Sequence, residues 1–212
     1  MDGNNRWSKK NNLAKYDSYY LGAKKLLELT KFIFDNFDIS YVSAFALSKH
    51  NLKRGSSITN IIQRVLSDFL DQNINKNSYN FKIVFKGNLN FLPFKIVKSI
   101  KELENSNKKY KKQLIIYLNY SGKGDIISAT KSVNNLKNIN DKTFKSLLKS
   151  SKTPDPDILI RSGGFKRISD FFLYQISFTD FFFTNTLWPD IKKSQIKKFI
   201  NQFYKIDRKF GS

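Results

Sequence analysis

The chain has 212 residues, 40% of them hydrophobic, and its 38 Lys and Arg outnumber its 17 Asp and Glu for a formal net charge of +21. This length suits one domain with a large core, so residues 1–212 are interpreted as a single domain. The absence of Cys and the single His exclude disulfides, thiolate chemistry and multi-histidine metal sites. The positive charge predicts an anionic partner: nucleic acid, an anionic membrane surface or a phosphorylated substrate.

Helical periodicity alternates with short apolar runs along the chain. In chain order the pattern predicts helix 19–34, strand 39–47, helix 58–70, strand 81–85, helix 93–103, strand 114–118, helices 126–133 and 144–148, strands 158–160 and 178–183, and helix 196–204. Strands separated by helices predict an α/β domain with a mostly parallel central sheet flanked by helices. The Lys- and Asn-rich tracts at 72–80, 105–112 and 134–142 are interpreted as loops.

Membrane and export signals are not found in the pattern. The aromatic segment 171–183 is interrupted by polar residues, and the chain opens on a polar motif rather than an apolar one. We therefore expect a cytoplasmic protein. Nucleic acid is the least favoured anionic partner, because the aromatic residues lie mainly at core-periodic positions instead of being interleaved with the basic ones.

The segment after strand 158–160 has the pattern of an anion site. Arg161 is followed by the Gly163 and Gly164 pair, then by Arg167 and Ser169. Glycines let the backbone approach a ligand closely, and guanidinium groups bind phosphate oxygens two at a time. The spacing thus favours a diphosphate over a carboxylate. The alternative is a surface turn with two solvated arginines.

Three further motifs accompany this segment and the Leu-Trp-Pro-Asp at 187–190. They are Met-Asp-Gly-Asn-Asn-Arg-Trp at 1–7, Leu-Ser-Lys-His-Asn-Leu-Lys-Arg at 47–54, and Asn-Tyr-Ser-Gly-Lys-Gly-Asp-Ile at 119–126. In this order they resemble the motifs of the cis-prenyltransferases, the undecaprenyl diphosphate synthase family. The resemblance covers essentially the whole chain.

That resemblance implies a Mg²⁺-dependent enzyme with a hydrophobic tunnel. Such an enzyme condenses isopentenyl diphosphate in cis (Z) geometry onto an allylic diphosphate such as farnesyl diphosphate. Its product would be the polyprenyl lipid carrier for cell-wall or glycan synthesis. The family resemblance also implies a homodimer that contacts the membrane peripherally to release product.

The same resemblance assigns site residues. It places Arg161, Arg167 and Ser169 at the isopentenyl diphosphate site, and Asp2 and Asn51 among the catalytic residues. Asp2 is the expected Mg²⁺ ligand, since Mg²⁺ is usually held by one or two carboxylates plus substrate phosphates, although a simple helix cap is the alternative. Asp180 lies at an acidic position implicated in metal binding. The allylic diphosphate site is assigned to Gly3, Asn4, Asn5, Arg6, Trp7, Lys15, Tyr19, Ser48 and Arg54.

The sequence also departs from the family pattern. Tyr19 stands for a histidine, His50 for a glutamate, and Phe165 for a residue that is often glutamate. Lys15 replaces an arginine and Asn5 a glycine. The family's first strand, which should precede residue 1, is expected to be missing. These departures leave open a second hypothesis, that the chain is a non-catalytic cis-prenyltransferase-like partner subunit.

Overall fold

Helices and strands alternate along a computed structural model, which describes residues 1–52, 55–73, 79–106, 108–133 and 139–208. The helices in these ranges are α1 (Asn4–Lys10), α2 (Lys15–Asn36), α3 (Lys49–Leu52), α4 (Ser56–Asn73), α5 (Phe94–Ser106), α6 (Gly122–Thr130), α7 (Asp141–Leu147) and α8 (Lys193–Phe203). The strands are β1 (Tyr41–Phe45), β2 (Lys82–Gly87), β3 (Gln113–Leu118), β4 (Ile158–Arg161) and β5 (Asp180–Phe183), and a 3₁₀ turn covers Trp188–Asp190.

The described strands pair in parallel throughout. One sheet has the order β1, β3, β2, with Ala44 and Phe85 both opposite Ile116. The other pairs β4 with β5, with Arg161 opposite Phe183. Parallel pairing follows from the helices between successive strands, because a crossover must return the chain to the same end of the sheet. The predicted α/β class is confirmed, with the strands divided between two sheets.

Strand β3 is buried on both faces, as expected for the centre of a parallel sheet. Leu114, Ile116 and Leu118 join the main core, which α2, α4 and α5 cover. Ile115 and Tyr117 point to a second cluster that contains Tyr120, Phe171 and Phe172. A third cluster fixes α8 against α2 and β4 through Leu29, Ile191, Ile196 and Ile200.

Three elements differ most from the pattern-based prediction, and one of them, helix α1 (Asn4–Lys10), lies where no element was predicted. Strand β5 begins at Asp180, because Thr179 donates from Oγ1 to the Pro156 carbonyl at 2.6 Å and from its backbone N–H to Ile176, which holds the preceding segment in a turn. The four-residue helix α3 follows β1 and is too short to show periodicity. Within the described ranges, no helix combines the length and apolarity needed to cross a bilayer.

Candidate active site

Hydrogen bonds to the backbone of Asp2 hold this residue at the carboxyl end of β4. Its N–H donates to Ser162 Oγ at 2.9 Å, and the Ser162 hydroxyl donates to the Asp2 carbonyl at 3.0 Å. The backbone N–H of Trp188 donates to the same carbonyl at 3.0 Å. Three of the sequence motifs therefore meet at Asp2, although 160 residues separate Asp2 from Ser162.

The Asp2 carboxylate lies between two arginines. Arg161 Nη2 donates to Oδ2 at 2.8 Å, and Arg6 Nη2 lies 3.4 Å from Oδ1. Burial by itself would raise the pKa of Asp2, but the hydrogen bond and charge of Arg161, with the charge of Arg6, outweigh it and lower the pKa from the ordinary 3.8. Asp2 is thus an anion at neutral pH, and its side chain remains 34% exposed.

Arg161 links Asp2 to the loop that follows β4. Its Nη1 donates to Ser169 Oγ at 2.7 Å and to the Arg167 carbonyl. The Arg161 Nε is buried and has no hydrogen-bond partner among the described residues. The Arg167 guanidinium is exposed, and no acceptor in the described ranges binds it. Arg161 is therefore largely engaged by protein atoms, whereas Arg167 keeps its donors available for a ligand.

Glycines allow this close assembly. Gly163 has φ 85°, and a Cβ there would lie 2.6 Å from Arg6 Nη2 and 3.1 Å from the Asp2 carbonyl carbon. Arg6 Nη2 in turn donates to the Gly163 carbonyl at 2.7 Å. Gly3 has φ 106°, and a Cβ there would lie 2.8 Å from Leu187 Cδ2. A side chain at either glycine would be strained by the positive φ and would displace Arg6 Nη2 or Leu187 Cδ2.

Two tryptophans fix the amino-terminal helices. Trp7 Nε1 donates to Asp190 Oδ1 at 2.7 Å, which ties α1 to the 3₁₀ turn. Trp188 Nε1 donates to the Gly22 carbonyl at 2.9 Å, which ties the same turn to α2. The indole N–H of Trp7, assigned by resemblance to the allylic diphosphate site, is thus engaged by a carboxylate of the chain itself.

The other assigned residues of the amino-terminal segment differ in exposure. Asn5 is exposed on α1, and Lys15 is the exposed first residue of α2. Tyr19 packs partly buried against the main core. Asn4 Oδ1 is buried and has no hydrogen-bond partner in the described part of the chain. Arg54 lies outside the described residues, as do residues 209–212.

The remaining two motifs join the same edge through Asp170. Ser48 pairs with Tyr120 in a parallel bridge, and Ser48 Oγ accepts a hydrogen bond from the Asn51 N–H at 3.1 Å. Ser121 Oγ then donates to Asp170 Oδ2 at 2.6 Å. Because Asp170 directly follows Ser169, the loops after β1, β3 and β4 form one continuous surface. Ligands of parallel α/β sheets bind at this edge.

Two cavities lie beside the amino-terminal helices: the smaller is lined mainly by apolar side chains, and the larger is lined also by Lys24, Glu28 and Lys31. One of about 80 Å³ is lined by Met1, Asn4, Tyr19 and Trp188 and, from the core, by Leu26, Leu66, Phe85 and Leu118. A larger cavity of about 310 Å³ opens between α2 and α4. Both are lined by Ala23 and Phe69, so these two side chains stand between them.

The two residues assigned to Mg²⁺ do not meet within one chain. Asp180 is opposite Ile158, whereas Arg161 is opposite Phe183 at the other end of the same strand pair. Three residue steps along a strand correspond to roughly 10 Å. The Asp180 carboxylate lies instead 3.7 Å from Arg208 Nε.

A metal at Asp2 would take its other ligands from substrate or water. Among the described residues, no group of three or more His, Cys, Asp or Glu could hold an ion by itself. Mg²⁺ is commonly held by one or two carboxylates with substrate phosphates and water, and Asp2 is an ionised, partly exposed carboxylate. The donor set at Asp2 therefore fits Mg²⁺ bound together with a diphosphate.

Three contact residues of the site were given no role from sequence. Ser162, Asp170 and Asp190 each bind a residue of another motif. Ser162 follows Arg161, and Asp190 ends the Leu-Trp-Pro-Asp sequence, so their position inside the motifs was the available signal. Asp170 lies one residue beyond the motif that ends at Ser169, so the sequence gave no signal for its contact.

Comparison with known proteins identifies the family of this chain. Residues 1–211 match the family model described as putative undecaprenyl diphosphate synthase. The chain belongs to the cis-prenyltransferase family. It is 35% identical to dehydrodolichyl diphosphate synthase 4 of Arabidopsis thaliana, over 100% of this chain and 77% of that protein. It is 33% identical to an isoprenyl transferase of Aquifex pyrophilus, over 100% of this chain and 93% of the relative.

Solved structures of the family share the fold. A probable undecaprenyl diphosphate synthase from Campylobacter jejuni superposes with a TM-score of 0.80 at 29% identity, covering 91% of this chain and 92% of that one. Lavandulyl diphosphate synthase from Lavandula x intermedia, in complex with dimethylallyl diphosphate, gives a TM-score of 0.90 at 24% identity over 100% and 95% of the two chains. The family assignment made from the motifs is confirmed, and the family is one of prenyltransferases.

Proposed function

We propose that this chain is a cis (Z) polyprenyl diphosphate synthase that condenses isopentenyl diphosphate onto an allylic diphosphate such as farnesyl diphosphate. The observation that carries the proposal is the cluster of Asp2, Arg6 and Arg161 beside an apolar cavity. Charged groups at one end would bind a diphosphate, and the cavity would take the hydrocarbon. Neither feature alone would select a prenyl diphosphate.

The charged residues would act on the two diphosphates. Arg6 would stabilise the negative charge that develops as the allylic diphosphate leaves, because a guanidinium group binds phosphate oxygens in pairs. Arg167, whose guanidinium has no hydrogen-bond acceptor among the described residues, would bind isopentenyl diphosphate together with Arg161 and Ser169. Asp2 would hold Mg²⁺, which when bound would further neutralise the leaving diphosphate. Asn51 would orient the reacting groups.

The apolar cavity would protect the allylic cation. Water in the site would capture such a cation, so a dry wall next to the charged cluster favours attack by the double bond of isopentenyl diphosphate. Leu26, Phe85 and Leu118 supply this wall behind Asn4. A growing chain would displace Phe69 and enter the larger cavity between α2 and α4. The two cavities together would form the tunnel.

The biological setting follows from the product. We propose a polyprenyl carrier lipid for cell-wall or glycan synthesis, in keeping with the names of the dehydrodolichyl and undecaprenyl diphosphate synthases that the chain resembles. The formal charge of +21 would favour peripheral contact with anionic lipid, where such a product must be released.

A non-catalytic partner subunit is the second candidate. It is favoured by Tyr19, which stands for a histidine and packs against the core, and by the separation of Asp180 from Asp2 within one chain. It is disfavoured by the Asp2, Arg6 and Arg161 cluster, which a non-catalytic subunit would not need.

One assay separates these functions. The purified protein is incubated with labelled isopentenyl diphosphate, Mg²⁺ and dimethylallyl or farnesyl diphosphate, and the extracted lipid is sized, with a chelator-treated sample as control. We expect chelator-sensitive chain extension. No incorporation by the protein alone would contradict the proposal, and incorporation only after a second cis-prenyltransferase subunit is added would support the partner-subunit function.

A further inference from the structure

Phe165 lies among three arginines of the candidate site. The Cζ atom of Arg167 is 4.2 Å from the centroid of its ring, that of Arg6 is 4.9 Å away, and that of Arg161 is 5.9 Å away. The three guanidinium groups come from α1, from β4 and from the loop after β4. A single side chain therefore contacts cations from three separate segments.

We propose that Phe165 is a positioning residue that gathers these guanidinium groups into a receptor for a diphosphate. The inference rests on the proposed function of the site and adds a role for a residue at which the sequence departs from the family pattern. Cations attract the negative face of an aromatic ring at such distances. This attraction offsets the mutual repulsion of three like charges that must stand close together before the ligand arrives.

The ring matters most for Arg167. Arg6 is also held by the Gly163 carbonyl, and Arg161 by Asp2 and Ser169. In the described ranges, the Arg167 guanidinium has the Phe165 ring as its contact and no hydrogen-bond acceptor. Loss of the ring should therefore release Arg167 while the other two arginines stay in place.

An aromatic ring holds a guanidinium without using its N–H donors. A carboxylate at the same position would form a bidentate ion pair and occupy the donors that a diphosphate needs. The ring attracts the face of the guanidinium and leaves the fork of donors at its edge available. The positive φ of Gly163 and of Gly164 turns the loop so that the Phe165 ring returns over the arginines, where it remains 42% exposed.

This role predicts an effect on binding and little effect on the chemical step. For Phe165→Leu, we expect the affinity for inorganic pyrophosphate to fall about three- to tenfold, with KM for isopentenyl diphosphate rising by a similar factor. The value of kcat should stay within about twofold, since the ring supplies no interaction specific to the transition state. Phe165→Tyr should keep the wild-type pyrophosphate affinity and the wild-type KM for isopentenyl diphosphate, because it keeps the ring.

Inorganic pyrophosphate is titrated calorimetrically into the wild type, Phe165→Leu, Phe165→Tyr and the control Phe94→Leu, whose ring is 83% exposed at the start of α5. The double variant Phe165→Leu with Arg167→Gln should bind no more weakly than Arg167→Gln alone, because the ring acts through Arg167. Ring-current shifts of the Arg167 Nε–Hε resonance should be present in the wild type and Phe165→Tyr and lost in Phe165→Leu.

If Phe165→Leu bound pyrophosphate with wild-type affinity, the inference would be overturned. Equal losses of pyrophosphate affinity in Phe165→Leu and Phe165→Tyr would also overturn it, since equal losses would indicate that the ring acts by packing and not by binding cations. Absence of pyrophosphate binding by the wild type would overturn it as well. The two proposals can fail separately. If the variants bind pyrophosphate as expected but the wild type extends no prenyl chain, the role of Phe165 stands and the proposed synthase activity is refuted.

Discussion

Asp2 is anchored independently by its backbone and by its side chain. Ser162 and Trp188 bind its amide and carbonyl, whereas Arg161 and Arg6 bind its carboxylate. A substitution that removes only the negative charge should therefore leave the chain path unchanged. This separation lets the chemical role of the carboxylate be measured without loss of the fold.

Asp2→Asn is expected to lower kcat by about 100-fold or more, because several kcal/mol of transition-state stabilisation depend on a metal that needs this anion. The measurement is the initial rate as a function of Mg²⁺ concentration, with the circular dichroism spectrum as a check of the fold. Asp71→Asn, on the exposed face of α4, serves as the matched control. Unchanged turnover by Asp2→Asn would refute the assignment of Asp2 as the metal ligand.

The lowered pKa of Asp2 also predicts a pH-dependent contribution to stability. Arg161 and Arg6 favour the carboxylate in the folded state, so the unfolded chain takes up its proton at a higher pH than the folded one. The contribution is fully present above the ordinary pKa of 3.8 and is lost as pH falls through the lower folded-state pKa. Denaturant unfolding of the wild type and Asp2→Asn should show a stability difference at neutral pH that narrows below that value. A difference that widened in acid would contradict the ion pair.

At the scale of the element, the loop after β4 depends on backbone conformations that side chains disfavour. Gly163 and Gly164 have positive φ, and so do Ser169 at 52° and Asp170 at 68°. Non-glycine residues in this region are strained and persist where surrounding contacts hold them. Here Arg161 binds Ser169, and Ser121 binds Asp170.

Gly163→Ala tests the close approach in this loop. The new Cβ would be strained by its φ and would also displace Arg6, so we expect a loss of about 1–3 kcal/mol in the free energy of unfolding together with weaker pyrophosphate binding. Gly55→Ala is the matched control, because Gly55 has φ 108° but no atom of the described residues would lie within 4 Å of its Cβ. Equal effects on pyrophosphate binding for both variants would show that contact with Arg6 is unimportant.

Sequence patterns predicted the secondary-structure elements better than they predicted the contacts between residues. β3 was recognised as a continuous apolar run, and α4 was recognised because its apolar residues recur at helical spacing over its length. Asp2, Arg161 and Ser169 were identified within motifs, yet their pairing depends on how the loop after β4 folds back. Trp7 and Asp190 are 183 residues apart, and no local pattern indicates that they touch. The ring of Phe165 looked like a departure from the motif and gave no signal of its contacts.

At the scale of the whole molecule, β5 is an edge strand in the described structure, with β4 on one side. Phe178, which precedes β5, is 62% exposed, and Phe181, within β5, is 43% exposed. Exposed apolar groups on an unpaired edge mark a surface that proteins normally cover. A second copy of this chain is the occupant that the family resemblance implies.

We therefore expect a homodimer in solution that Phe181→Glu converts to monomer, because two added carboxylates would be buried in the interface. Light scattering coupled to size exclusion at micromolar concentration measures the mass. Phe94→Glu adds the same charge at an exposed site on α5 and should leave the dimer intact. A wild-type monomer with full activity would refute the dimer.

The hydrogen bonds between Asp2 and Ser162 join residues that are synthesised at different times. At about 5–20 residues per second, roughly 8–30 s pass between synthesis of the two. Throughout that interval the nascent amino-terminal motif carries Asp2 and Arg6 but lacks Ser162 and Arg161, to which they bind in the finished protein. The Asp2 motif therefore acquires its native neighbours long after its own synthesis, and any affinity for diphosphates that needs both Asp2 and Arg161 arises only once Arg161 has been made.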